Sequence, residues 1–514
     1  MSASPRPTVS SSQTRGRKIA RDVVVRLAAA ILSGGLFALS LPPRLLGFVA
    51  WFAFVPLLWA SARTVRALHA FGLGMLCGLT AGFLYVGVDG RELGGASMQY
   101  AYTPFIWLAL VLGAASTAAS IARRRWPNGG VPSALFIASS GVVAEWLTAF
   151  SPLPVGVALT QSPYLPVIQI ASVTGVWGVS WLLYLVNAAL IEVLLTGKQA
   201  RLSVGIATAA LAVALLFGVR SVRGVQEENS RRKTVRVAAV QDYNGSDGGL
   251  DAPASLPDLP NSDELFRRAA TGGAELIVGT EEALGVTFQP ENANDAVYKQ
   301  ARDLNAHLVV GFESRDQPMP YNCAALVSPQ GQTLGVHHKI QLFLGERQAM
   351  RAGTSAAAYP TPLGKIGLLI CFDSCFTAYA RQSTQAGANL LAVPNFDPPT
   401  PHAVLHHLHA ALMPFRAVEN RVSLVRAEPG GLSQIVDPTG RVLAVAPMYR
   451  PAVVCANVPL GNNSGTLFTR LGDWFAWGSV AFVLWGLWQY ALGSNNQPTA
   501  GRAGHEATAP PKSA

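Results

Sequence analysis

From residue 22 to residue 219 the chain is built of long apolar runs broken by short polar loops. Seven runs fall at 22–41, 46–61, 70–88, 103–122, 131–150, 167–196 and 203–219, and an eighth, rich in Trp and Phe, at 474–493. A helix needs about 20 residues to cross the hydrocarbon of a bilayer, so the pattern predicts a polytopic helical bundle of about eight spans. The second run is short for a crossing, and the sixth is long enough to be broken.

Between 234 and 460 the pattern changes to short apolar runs bounded by polar residues, Gly or Pro. Val235–Gln241, Ala274–Gly279, Ala306–Phe312, Asn322–Ser328, Lys365–Cys371 and Asn389–Asn395 read as buried strands. Helical patterns at Ser262–Ala270 and Asp295–Asn305 lie between them. Ser328–Gly335 reads as a turn between strands, and Val436–Ala444 as a hairpin. The expectation is a layered α/β domain, whose chemistry sits at the carboxyl ends of strands.

These boundaries divide the chain into a cytoplasmic tail (1–21), a seven-span membrane domain (22–219), a basic linker (220–233), the α/β domain (234–460), a linker (461–473), an eighth span (474–493) and a second cytoplasmic tail (494–514). Composition supports the membrane reading. Only 13% of residues are charged, against roughly 25% in an average soluble protein. The net charge of +10 does not point to nucleic acid, because the basic residues lie in loops between apolar runs. With the N-terminal Arg15, Arg17, Lys18 and Arg21 inside, the loops carrying Arg63 and Arg66, Arg123 to Arg125, and Lys198 and Arg201 are also inside, as the positive-inside bias requires. Seven crossings then deliver residues 220–472 to the outer face, although the basic run from Arg220 runs against the bias. Five cysteines, Cys77, Cys323, Cys371, Cys375 and Cys455, are too scattered for a disulfide framework.

Three residues attract chemical interest. Cys371 ends the run "GLLIC", Glu281 follows "LIVGT", and Lys339 lies in "GVHHKIQLFLGER". A thiol nucleophile needs a base, and its attack on a carbonyl creates an oxyanion that needs a cation or N–H donors. The alternative is an inert buried thiol, since free Cys often acts as a small hydrophobe. Spacing alone does not decide between them.

The order Glu, Lys, Cys on an α/β sandwich resembles the nitrilase (carbon–nitrogen hydrolase) superfamily. With spans on both sides, the chain is similar to its membrane-embedded apolipoprotein N-acyltransferase family. The resemblance rests on "LSLPPRLLGFVAWFAFVPLLWA", "IQIASVTGVWGVSWLLYLVNAAL", "YNCAALVSPQGQTLGVHHKIQL" and "MPFRAVENRVSLVRAEPGGLSQIVDPTGRVL", and it covers nearly all of the chain except the tails. It implies an αββα nitrilase-like sandwich with no cofactor and no metal. Glu281 is then the general base, Lys339 the oxyanion cation, Cys371 the nucleophile and Glu346 a second, orienting carboxylate. Phe372 and Asp373 stand where the family commonly has Tyr and Glu, and Asn395 falls in a supporting stretch beside the thiol. "DYNGSDGGLDAPASLPDLP" lacks the Trp common after the first strand.

The implied reaction moves an acyl chain from a membrane phospholipid, through a cysteine thioester, to the N-terminal amine of a diacylated apolipoprotein. A monomer in the bacterial inner membrane, with its catalytic domain on the periplasmic face, goes with that reading. Two rivals are a membrane-anchored amidase and a weakened relative that binds lipoproteins without turnover. Of the other candidates, His402, His406 and His409 recur at helical spacing but lack a sequence-adjacent carboxylate motif, so a polar or membrane-proximal helix face is expected. Cys375 reads as packing, Glu282 and Glu313 as solvated or structural, and Arg416 with Glu419 as a structural ion pair at i,i+3. Glu145, inside an apolar run, is expected to line the bundle interior.

Overall fold

The computed structural model describes residues 11–87, 96–148, 156–243, 260–281, 283–284, 288–292, 294–397, 404–461 and 464–495. Glu282, His402 and the outer parts of both tails lie outside the described residues, as does most of the stretch that lacks the Trp. Helix α1 (Ser11–Ser40) is followed by a 3-10 turn at Gly47–Trp51 and the short α2 (Val55–Ala62). The second apolar run therefore forms no full-length crossing helix. Next come α3 (Ala67–Val86), α4 (Ala96–Arg125) and α5 (Val131–Thr148). The sixth run is broken into α6 (Leu165–Ile168), α7 (Ala171–Thr174) and α8 (Val176–Thr196). The break falls at Gly175, which adopts φ +68° and whose absent Cβ would lie 2.6 Å from the Phe468 ring. Helix α9 runs from Arg201 to Asn229, so the basic run from Arg220 is largely a helical extension of the last span before the α/β domain.

Helices α3 and α4 cross at very short range, because Gly74, Gly78 and Gly82 form a stripe with one glycine per four residues. Such small-residue stripes let backbones approach where lipid supplies no hydrophobic drive. A Cβ on Gly78 would fall against the Ala109 backbone, and one on Gly82 would lie 2.6 Å from Phe105 Cβ. Gly78→Leu is expected to cost about 3 kcal/mol or more, measured as a lower thermal midpoint in detergent. Gly72→Leu, at a position with no atom within 4 Å of an added Cβ, is expected to leave the midpoint unchanged.

Among the described residues the α/β domain holds twelve strands in two six-stranded sheets. The strands are β1 (Thr234–Gln241), β2 (Leu276–Val278), β3 (His307–Glu313), β4 (Asn322–Val327), β5 (Thr333–His338), β6 (Ala358–Thr361), β7 (Gly364–Leu368), β8 (Leu390–Pro394), β9 (Ser423–Ala427), β10 (Gln434–Val436), β11 (Val442–Val445) and β12 (Ala452–Pro459). The sheet orders are β12-β1-β2-β3-β4-β5 and β11-β10-β9-β8-β7-β6. Each has a parallel centre, β1-β2-β3 and β7-β8-β9, flanked by antiparallel strands. Central strands are covered on both faces, which is why they read as unbroken apolar runs. Val237, Leu276, Val278 and Val309 of one sheet meet Ile366, Leu368, Leu390 and Val425 of the other. The expected hairpin is β10–β11, with Gln434 opposite Val445.

Helices α10 (Ser262–Thr271) and α11 (Ala296–Leu304) cover the first sheet, burying Leu265, Phe266, Val297 and Tyr298. Asn261 caps α10 by accepting from Glu264 N at 2.8 Å, and Asp295 caps α11 through Val297 N at 3.0 Å. Helices α12 (Glu346–Ala349), α13 (Thr377–Gln385), α14 (Val404–Ala410), α15 (Met413–Asn420) and α16 (Leu467–Leu471) complete the domain. The result is the αββα sandwich. The chain re-enters the bundle as α17 (Trp474–Asn495).

By length and hydropathy, six stretches of the described residues can cross a membrane: 17–40, 67–86, 103–125, 131–148, 176–229 and 474–492, the fifth holding both α8 and α9. The outer face of the second sheet packs on this bundle in one continuous core that joins Ile168 and Ala171 to Phe415, Val418 and Val436. Polar pins fix the seam. Val176 N donates to Glu419 Oε1 at 2.9 Å, and Gln169 Nε2 donates to Thr439 O at 2.8 Å. Trp146 and Trp177 both donate to Asp473. The basic loops gather at the opposite helix ends, where Arg124 donates to Val65 O and Arg125 to Gln489.

Candidate active site

Each of the three residues singled out for chemistry stands just beyond a strand. Glu281 follows β2 by three residues, Lys339 follows β5 directly, and Cys371 follows β7 by three. The expected strand ending at Cys371 stops at Leu368, and the cysteine instead opens a 3-10 turn, Cys371–Cys375. Its φ of +40° lies in the left-handed region that side chains other than Gly rarely adopt. The turn is held from several sides. Ser374 Oγ donates to Cys371 O at 2.6 Å, and Asp373 N donates to Ile370 O at 2.9 Å. Asp373 is fully buried and accepts from Ile340 N, Gln341 N and Ile370 N, with His337 Nε2 2.9 Å away. Its oxygens thus pin the Lys339 loop to the Cys371 turn. The Phe372 ring sits edge-on to Phe343 and Phe376.

Lys339 joins two carboxylates. Its Nζ lies 2.6 Å from Glu281 Oε1 and 2.7 Å from Glu346 Oε1. Asn322 bridges the same two oxygens from the other side, donating through Nδ2 at 2.7 and 2.9 Å. Sequence reasoning assigned Asn322 only to a strand; its role depends on β4 lying beside β5, which its own residue type does not reveal. Phe343 N holds the second oxygen of Glu346 at 2.6 Å. Glu281 N donates to Asn395 O at 3.3 Å, and the Asn395 side chain is fully buried with neither amide atom hydrogen-bonded among the described residues.

The electrostatics follow from burial and proximity. Burial pushes the Glu281 carboxyl above its usual range, with Lys339 opposing and Glu346 assisting. Burial pulls Lys339 down, but Glu281, Cys371 and Glu346 outweigh it and hold the ammonium well above its ordinary value. Burial and the Glu281 charge push the Cys371 thiol well up, against Lys339. The sulfur therefore rests protonated beside a carboxylate whose affinity for protons is enhanced. Cys371 Sγ is directed at Phe396 O, 3.3 Å away.

Residues 33–189 match the apolipoprotein N-acyltransferase N-terminal domain, and residues 236–464 match the carbon–nitrogen hydrolase family. An apolipoprotein N-acyltransferase from Geobacter metallireducens is 32% identical, over 88% of this chain and 92% of its own. The chain belongs to the apolipoprotein N-acyltransferase family. A second relative of that name, from Gloeobacter violaceus, is 26% identical over 91% of this chain and 94% of its own. Omega-amidase NIT2-B from Xenopus laevis is 27% identical but matches only 41% of this chain. Similarity to the apolipoprotein N-acyltransferases thus extends through the membrane bundle.

The remaining candidates fall into place around this centre. Arg416 Nε lies 3.2 Å from Glu419 Oε2, the ion pair expected from their spacing. Glu145 is buried in the bundle and accepts from Val157 N, Ser180 Oγ and Tyr184 OH. Cys375 packs less completely than expected and faces a cavity of about 270 Å³ between bundle and sandwich, lined also by Trp146, Trp177, Phe376 and Tyr379. The histidines depart most from expectation. His406 and His409 are not on an exposed polar face; both are buried, with His406 Nδ1 3.2 Å from Glu428 and His409 Nδ1 2.7 Å from Asp397. The carboxylates that explain them come from other elements, so no local motif could announce them. Ligand-type atoms do cluster here, in two sets that share Asp397. The Arg426 guanidinium already sits on Asp397 Oδ2, so the cluster is a network of ion pairs and does not have the open donor set of a metal site.

Proposed function

We propose that the protein transfers an acyl chain from a membrane phospholipid to the N-terminal amine of a diacylglyceryl-cysteine lipoprotein, with Cys371 as the acyl carrier. The carrying observation is the buried Lys339 ammonium bridging Glu281 and Glu346 beside the Cys371 thiol, in a domain seated on an apolar bundle. Glu281 takes the Sγ proton, and the thiolate adds to the ester carbonyl of the phospholipid. Lys339 stabilises the oxyanion, while Glu346 holds Lys339 in position. As the C–O bond breaks, the proton passes to the departing lysophospholipid, leaving a thioester on Cys371. The lipoprotein amine then attacks the thioester, the C–S bond breaks, and Cys371 recovers a proton. Phe372 packs against the turn that carries the thiol, and Asn395 supports the strand end that carries Glu281.

Both substrates are anchored in lipid, which gives the bundle a purpose that a soluble amide would not require. The basic loops lie at the helix ends remote from the sandwich, which supports an inner-membrane placement with the catalytic domain on the periplasmic face. The protein acts as a monomer in this reading, with tails 1–21 and 494–514 in the cytoplasm. Intact-protein mass spectrometry after incubation with phosphatidylethanolamine vesicles tests the chemistry. One acyl group mapped to Cys371, released on adding a diacylated lipopeptide, is the expected result. Product formation with the acyl group elsewhere, or hydrolysis of a small soluble amide without any lipid, would refute it.

A further inference from the structure

The proton inventory around His409 says more than its burial does. Ser374 has one hydroxyl proton, and at 2.6 Å from Cys371 O that proton lies on the bond to the carbonyl, which can only accept. The same Ser374 oxygen lies 2.8 Å from His409 Nε2, so it must receive a proton from that nitrogen. On the other side His409 Nδ1 meets Asp397 Oδ1 at 2.7 Å, and Asp397 is held as a carboxylate by Arg426. Nδ1 is therefore a donor as well. A ring that donates from both nitrogens is an imidazolium. Although burial opposes the charge, neighbouring Cys375 and Asp397 hold the ring's pKa up to about 10. For Asp397, burial works upward, but His409 and Arg426 prevail and the carboxyl is held far below its usual range.

This cation sits at the nucleophile. Cys371 Sγ, an Asp397 oxygen and a His409 ring nitrogen all lie within 4.8 Å of one another. Asp397 by itself raises the Cys371 thiol's pKa, so a carboxylate placed there without compensation would work against thiolate formation. We infer that His409 is a positioning residue for Cys371, its imidazolium clamping the left-handed cysteine through Ser374 and offsetting the Asp397 charge beside the sulfur. The charged and titratable groups around it are Asp397, Arg426, Cys371 and Cys375, with His406 and Glu428 one step beyond through Asp397. The inference rests on Cys371 being the acyl carrier, but the charge role is tested by alkylation with neither phospholipid nor lipoprotein present, and only the clamp is read from turnover.

Iodoacetamide alkylation of Cys371 is followed against pH in the full-length protein in detergent, by peptide mass spectrometry. Fragment-ion mapping separates adducts on Cys371 from those on Cys375, so Cys375, which helps to hold the imidazolium, stays in place. His409→Gln, which keeps a donor but removes the charge, is expected to move the alkylation midpoint up by about 1 pH unit and slow labelling at neutral pH about tenfold. A Ser374→Ala variant keeps the imidazolium on Asp397 but cuts the clamp. It is expected to move the midpoint by less than about 0.3 unit and to lower kcat about tenfold, with KM held. A folded His409→Gln variant with the parent's midpoint would overturn the charge role. Should His409→Gln fail to fold, the Ser374→Ala result decides: unchanged kcat overturns the clamp, and reduced kcat supports it. If phospholipid never acylates Cys371, the alkylation shift still stands or falls separately.

Discussion

Replacing Lys339 with Met is expected to slow acyl transfer by about a thousandfold or more and to make the protein less stable as pH rises. The rate loss follows from the task proposed for the ammonium, since removing one preorganised oxyanion partner costs about 10²–10³ in turnover, and here the same group also orients Glu281. The stability change has a different origin. Lys339 is buried and bonded at 2.6 and 2.7 Å to Glu281 and Glu346, and breaking such a pair costs about 3–5 kcal/mol when a charge is left behind. Glu281 escapes part of that cost by taking a proton. Its folded pKa, already above the ordinary 4.5 through burial, rises further without the cation. The folded state then binds a proton that the unfolded state has released, so stability falls as pH climbs above 4.5 toward the folded value. Thermal midpoints of Lys339→Met measured between pH 5 and pH 8 should therefore decline more steeply than those of the parent. A flat profile with full activity would contradict both roles.

Glu281→Gln isolates the base from the scaffold. Gln has nearly the same shape, and its carbonyl oxygen can still accept from Asn322 Nδ2 and Lys339 Nζ, while the Lys339–Glu346 contact remains. The fold should persist with a thermal midpoint close to the parent's. What disappears is the acceptor for the Cys371 proton, and burial holds that thiol well above its ordinary range, so unassisted thiolate is scarce at neutral pH. The expected outcome is a fall of about 10³-fold in kcat with KM nearly unchanged, seen as slow appearance of the Cys371 thioester in single-turnover experiments. The parent's acid limb should lie above an ordinary carboxylate's, because Glu281 must be ionised to act and burial raises its pKa. A variant that forms thioester at the parent's rate would remove Glu281 from the chemistry.

The two architectures were legible because each imposes its own periodicity. Runs near 20 residues announced helices in lipid, and short runs with Gly or Pro boundaries announced strands covered on both faces. The positions of Glu281, Lys339 and Cys371 were readable for the same reason, since each ends or follows such a run. Strands β5, β6, β9 and β12 escaped because β5, β6 and most of β12 are only half-buried and form no clean apolar run, while the buried β9 carries Arg426 in its midst, so their pairing partners define them more than their composition does. The Asp397–His409–Ser374 chain was illegible on stronger grounds. It joins the loop after β8, helix α14 and the cysteine turn, and only tertiary packing puts a carboxylate against each histidine. Asp373 shows the converse: its place after the cysteine drew attention, yet its four buried contacts make it a fastener between two loops.

The pairing of β1 with β12 has an outcome for how the molecule is made. The earliest and latest strands of the sandwich lie side by side, Val237 opposite Ala456; β1 is entered from α9 of the bundle, and β12 is followed by α16 and then by α17, which re-enters it. A nascent chain that has threaded α9 through the bilayer must therefore wait for nearly the whole remaining polypeptide before its first sheet can close. Such long-range closure is slow to form. Once formed, it ties the sandwich down by two neighbouring cords, so it cannot swing away from the lipid on a single hinge.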